Sequence, residues 1–156
     1  MKRVSVLSAA MALSLTLTAC GGGANVEGAS FDPAADAQTL LDTQGVFSAA
    51  MVEIDAATAC ALYGIDAATV ESCAVYASEG SAEELAIFAF ADEDAAAAGA
   101  RQLGYRVTDR TDELRDYMPG ELTKLTGAVV ETRGASALLV IAADYSQVTA
   151  FLEGEE

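Results

Sequence analysis

Residues 70–90 read VESCAVYASEGSAEELAIFAF, and this stretch decides the fold. Val70, Ser72, Ala74 and Tyr76 alternate with Glu71, Cys73, Val75 and Ala77, and the β-branched and aromatic members suit a pleated strand. Ser78-Glu79-Gly80-Ser81 is a loop by composition, and Glu84 to Phe90 resumes an extended apolar run. Two such runs across a short polar loop predict a hairpin.

Working toward the carboxyl end, Asp92 stands where a helix cap belongs, with Glu93 and Asp94 placing negative charge on the first turn. Ala96, Ala100, Leu103, Val107, Leu114 and Met118 recur at steps that share one helical face, and Pro119 ends the helix. Gly99 and Gly104 inside it each cost about 1 kcal/mol relative to Ala, so packing against the sheet must hold it together. After a short piece over 121–126, Gly127 to Thr132 and Ser136 to Ala142 form a second pair of runs, broken at Arg133-Gly134. The unbroken apolar character of the latter suits an interior strand. Asp144 or Ser146 opens a last helix bearing Val148, Phe151 and Leu152.

Working toward the amino end, one helix is expected from Asp36 to about Phe47, and another capped by Asp55 and stopped at Gly64. Met51-Val52-Glu53-Ile54 is too short to distinguish an extended stretch from a helix start. The expectation is one α+β domain over residues 36–153. It is built as a four-stranded, largely antiparallel sheet with a long helix between two hairpins and further short helices.

The first 19 residues read as a targeting device. Lys2 and Arg3 precede a charge-free run from Val4 to Ala19, which is the length of a signal-peptide core and short of the roughly 20 residues of a membrane span. The run ends Leu17-Thr18-Ala19-Cys20, followed by three glycines, and this resembles a bacterial lipobox. Small residues fit a peptidase groove, and the Cys20 thiol is the nucleophile that receives the diacylglycerol. The competing reading is a secreted protein with Cys20 incidental. Residues 20–35 are rich in Gly, Ala and Ser, and a flexible coil of that length reaches roughly 20 Å. The expected location is therefore the cell membrane, lipid-anchored and facing outside the cytoplasm.

Composition narrows the chemistry. The 156 residues carry 8 Lys+Arg against 24 Asp+Glu and no His. A formal charge of −16, becoming −18 once Lys2 and Arg3 leave with the leader, excludes phosphate-neutralising nucleic-acid binding as an expectation. Without His there is no Ser-His-Asp or Cys-His nucleophile system and no imidazole metal ligand. No spacing matches a calcium loop, and no cofactor or metal is expected.

Glu84-Leu85-Ala86-Ile87-Phe88, Asp92-Glu93-Asp94, Arg106, Tyr117-Met118-Pro119-Gly120-Glu121, Gly134 and Asp144, with Leu62-Tyr63-Gly64-Ile65-Asp66 and Tyr76 upstream, form one pattern. Through them the segment from Leu40 to Leu152 resembles a family of small bacterial lipoproteins catalogued as domain of unknown function 4358. The resemblance implies a location and a fold, and no functional residue is carried over from it.

Four of the six bases beyond the leader, Arg101, Arg106, Arg110 and Arg115, lie on the long helix. Arg106 and Arg110, one turn apart, are candidates to clamp a carboxylate or phosphate. Local pairing is the simpler alternative: Arg106 with Asp109, Arg110 with Glu113 and Asp112 with Arg115 are each three residues apart. Tyr117 and Glu121 are candidates for a recognition corner. Otherwise Tyr117 packs on the core and Glu121 helps cap the next turn. Cys60 and Cys73 form an even pair that a disulfide would join outside the cytoplasm, although the mid-strand position of Cys73 inclines the reading to free thiols.

The functional expectation is a non-enzymatic binding or accessory module, held by lipid and directed at an envelope protein or an extracellular ligand. The alternative is a carboxylate-dependent envelope hydrolase. Two carboxylates converging in a pocket would favour the alternative, and an exposed apolar groove would favour the module.

Overall fold

The computed structural model describes residues 25–26 and 29–154. The leader, Cys20 and most of residues 20–28 lie outside the described residues. In chain order the elements are β1 (Asn25–Val26), α1 (Pro33–Asp42), β2 (Val52–Ile54), α2 (Ala56–Tyr63), β3 (Val70–Ala77) and β4 (Glu84–Phe90). They continue with α3 (Glu93–Tyr117), α4 (Leu122–Thr126), β5 (Val129–Arg133), β6 (Ser136–Ile141) and α5 (Tyr145–Glu153). Single 3-10 turns precede β3 and α4.

The sheet order is β1-β5-β6-β4-β3-β2. Strands β2 to β6 pair antiparallel, and β1 adds a two-residue parallel edge on β5. Among the described residues the class is α+β with five helices, and the expected four-stranded sheet is corrected to five antiparallel strands. The added strand is β2. It is too short for alternation to reveal, and its conformation comes from its partner, with Val52 opposite Ala77 and Ile54 opposite Val75. Helix α3 connects the β3–β4 hairpin to the β5–β6 hairpin. Strands β4 and β6, which no turn joins directly, thereby lie side by side at the centre of the sheet.

Helices cover both faces. On one face Ala86, Phe88 and Phe90 of β4 and Leu139 and Ile141 of β6 pack beneath α2, α3 and α4. On the other, Leu85, Ile87, Leu138 and Val140 meet Leu40 of α1 and Val148 of α5. With both faces dry, β4 and β6 carry almost unbroken apolar sequence.

Caps explain most helix boundaries. Asp92 accepts from the Ala95 N–H at 2.8 Å and opens α3, which runs 25 residues to Tyr117. Asp55 accepts from the Thr58 N–H at 3.1 Å and opens α2, which Gly64 closes at φ 64°. Helix α1 begins at Pro33, three residues before the expected start. Asp32 accepts from the Ala34 and Ala35 N–H groups, each at 3.0 Å, while Asp36 accepts from the Asp32 N–H at 2.8 Å. This reciprocal pair with Pro at the first helical position is a strong start signal. Phe31, just upstream, is 4% exposed, and its N–H donates to Ser136 Oγ at 2.8 Å.

Gly99 has a packing reason. A Cβ at that position would lie 2.2 Å from Cζ of Phe90, so only glycine lets α3 approach β4 this closely.

Candidate functional site

The end of the sheet where β4 begins concentrates the buried charge. Glu84 opens β4 on the same alternating row as Ala86, Phe88 and Phe90, which turns its side chain toward α3. It is 1% exposed, and a carboxylate placed there requires compensation. Arg106 supplies it in a two-pronged pair, Nε donating to Oε1 and Nη2 to Oε2, both at 3.0 Å. The Tyr63 hydroxyl donates to Oε1 at 2.6 Å, and the Arg106 guanidinium stands 5.7 Å over the Tyr63 ring. Arg110 brings its Nε within 3.9 Å of Oε2, while its Nη1 donates to Glu113 at 2.9 Å.

Glu83, the preceding residue, has a fully buried side chain held by a separate set of donors. Lys124 Nζ donates at 2.8 Å, the Ser48 N–H at 2.8 Å, the Ala49 N–H at 3.0 Å, and the Ser48 hydroxyl completes the set. Glu121 accepts from the Ala82 N–H at 2.9 Å and from Ser81 Oγ at 2.7 Å, and Lys124 Nζ lies 2.9 Å from it. Three carboxylates, Glu83, Glu84 and Glu121, thus meet three cations, Arg106, Arg110 and Lys124, around the β3–β4 loop.

The protonation states follow. Burial pushes the Glu83 carboxyl up, but Lys124, Ser48 and the Ala49 N–H outweigh it and hold the group below its ordinary range. The Ala82 N–H, with Lys124 and Ser81, lowers Glu121 to about 2. Burial works against the Lys124 charge, yet bonds to Glu83 and Glu121 raise its pKa above the usual value. Burial, followed by the adjacent Glu84 charge, raises Tyr63 far above the phenol range and keeps it a hydrogen-bond donor.

These states bear on chemistry. Lys124 Nζ lies 3.0 Å from Ser81 Oγ, the separation of a serine–lysine nucleophile pair. A general base must be neutral to accept a proton. Two carboxylates keep Lys124 charged, and Ser81 is 5% exposed. The contact ties the loop to α4.

The structure brings Arg106 and Arg110 together on Glu84. Tyr117 stands 83% exposed at the end of α3, while Glu121 turns inward to cap the β3–β4 loop, so the two do not share a corner. Cys60 and Cys73 are free thiols. Cys60 is buried, and Cys73 packs against the same core. Burial raises the pKa of both. Among the described residues, no three His, Cys, Asp or Glu gather to hold a metal ion, and no helix is long and apolar enough to cross a membrane.

Sequence reasoning missed Glu83, Glu84 and Lys124 as one system. The available signal was two consecutive carboxylates opening a strand whose following residues are all apolar, which obliges some distant cation to meet each of them.

Clefts open between helices on both sides of the sheet. Two form one groove between α2 and α3, sharing Gly64 and Gln102: a part of about 220 Å³ floored by Phe90 and Gly99, and a part of about 240 Å³ beside Leu62 and Tyr105. Another, about 570 Å³, lies between α1 and α5. Each part carries a single carboxylate, Asp66, Asp109 and Asp36 respectively.

The family model described as Domain of unknown function (DUF4358) matches residues 44–142. That span runs from β2 through β6 and contains the charge network and the α2–α3 groove; α1 and α5 flank it. No curated protein and no solved structure matches the chain.

Proposed function

The chain belongs to the family described as Domain of unknown function (DUF4358), and from that premise we propose that it is a lipid-anchored binding module facing outside the cytoplasm. The membrane partner is reached through acyl chains on Cys20, and the folded body presents a surface to another envelope protein or an extracellular ligand. The observation that carries the anchor is the order of residues 1–23: a basic start, an uncharged run, Leu17-Thr18-Ala19-Cys20 and glycines. Two or three acyl chains, at about 0.8 kcal/mol per buried CH₂, anchor stably where one does not.

The geometry of the body supports binding over hydrolysis. Glu83, Glu84 and Glu121 are each bonded to cations or N–H groups, and Asp66 and Asp109 line separate parts of the α2–α3 groove instead of converging in one lining, as the paired carboxylates of a hydrolase would. The α2–α3 groove instead leaves Leu62 and Tyr105, 42% and 61% exposed, at its rim.

The test is detergent phase partitioning of cell fractions, with mass spectrometry of the mature amino terminus. Native protein is expected in the detergent phase with an acylated Cys20 as its first residue, and Cys20→Ala in the aqueous phase with its fold retained. An unmodified start, or a Cys20→Ala protein that still partitions with detergent, overturns the anchor.

A further inference from the structure

The α2–α3 groove carries an unmatched charge. Arg106 and Asp109 stand three positions apart, near enough on α3 to pair. Arg106 turns inward to Glu84 instead, and Asp109 has no hydrogen bond or ion pair among the described residues. Its carboxylate shares the groove lining with Tyr105 and Leu62, both of which remain exposed. Elsewhere on α3, Arg110 pairs with Glu113 at 2.9 Å and Arg115 with Asp112 at 3.0 Å, while Arg106, which lines the same groove, has its guanidinium engaged by Glu84 at 3.0 Å. Asp66 lines the far part of the same groove.

A free carboxylate, an exposed phenol ring and an aliphatic side chain along one groove match a cationic side chain with an apolar neighbour. The carboxylate pairs with the charge, the ring face attracts it, and the aliphatic rim covers the hydrocarbon stem. The formal charge of −16 favours approach of the same sign of partner. We propose that this groove binds a segment of another polypeptide that carries arginine or lysine beside an apolar residue. The proposal deepens the binding-module reading and rests on it.

The probe is a random heptapeptide library displayed on phage, selected against the full chain in detergent. The enriched peptide is then titrated by fluorescence anisotropy into wild type, Asp109→Asn, Tyr105→Ala and, as a control on the opposite layer, Asp42→Asn. The expected result is a basic and apolar consensus whose affinity falls about tenfold in the first two variants and stays unchanged in the third, with thermal melts of all four superimposing. No consensus, a non-basic consensus, or equal loss with Asp42→Asn overturns the proposal, the last because it reports general attraction to an acidic body. Self-association abolished by Tyr105→Ala would reassign the groove to a second copy, and vesicle binding by Cys20→Ala through Tyr105 would reassign it to lipid. Failure here with Cys20 acylated sinks the groove and leaves the anchored module standing; an unmodified Cys20 does the reverse.

Discussion

Glu84 and Arg106 form the pair on which the buried charge of α3 and β4 depends. Removing one partner of a buried pair leaves the other uncompensated and costs about 3–5 kcal/mol. Glu84→Ala is expected to lower stability by about that amount in urea unfolding, because it strands Arg106 and leaves Arg110 with less opposing charge. The double variant Glu84→Met with Arg106→Met is expected to cost less than either single change, since neither charge remains to be buried. A second expectation concerns acid. Glu83 and Glu121 have folded pKa values below the unfolded ones, so the stability they contribute is fully present above about pH 4.5 and drains away as pH falls through the folded values, about 2 for Glu121. Urea midpoints from pH 6 to pH 2 should therefore decline across that window, and Glu121→Gln should flatten the decline. Lys124 has the opposite sign: its raised pKa contributes below the ordinary 10.5 and is lost as pH rises past the folded value.

Two glycines of α3 separate packing from propensity. Both count against the helix in sequence, at about 1 kcal/mol each. At Gly104 nothing lies within 4 Å of an added Cβ, so Gly104→Ala is expected to stabilise by about 0.5–1 kcal/mol. At Gly99 the same methyl would overlap the Phe90 ring, and Gly99→Ala is expected to destabilise by about 1–3 kcal/mol despite the better propensity. Thermal melts of the two variants, moving in opposite directions, check this. Asp92, whose carboxylate accepts from the Ala95 N–H, should cost about 1 kcal/mol when replaced by Ala. The strands of the β3–β4 hairpin, α3 and the interior character of β6 were legible because each is specified within a few residues, by alternation, by a cap or by an unbroken apolar run. Strand β2 was not legible. Three residues carry no periodicity, and the extended backbone of Val52 to Ile54 is held by ladder bonds to Val75–Ala77, distant in sequence. The charge network was illegible for a related reason, since Arg106 has a neighbouring Asp109 in sequence and no local rule prefers Glu84.

At the scale of the whole molecule, two apolar cores sit on opposite faces of one sheet, and the segment before α1 is tied to the last helix through Arg133. Arg133 lies 4.7 Å over the Phe31 ring, while its Nη2 donates to the Leu152 carbonyl at 2.6 Å, so one guanidinium joins the approach to α1 with the last turn of α5. Phe31→Ala is expected to cost about 3 kcal/mol and to expose the α1 amides first in hydrogen exchange. What the sequence determined by itself is the α+β alternation, the extent of α3 and the surplus of negative charge, because periodicity, capping and composition act locally or by simple addition. Tertiary structure alone decided the fifth antiparallel strand, the fit of Gly99 on Phe90 and the partner of Arg106. The physical reason is dielectric: charges attract far more strongly once water is excluded. A guanidinium that can reach either an exposed Asp109 or a buried Glu84 therefore goes to the carboxylate that only folding removes from solvent.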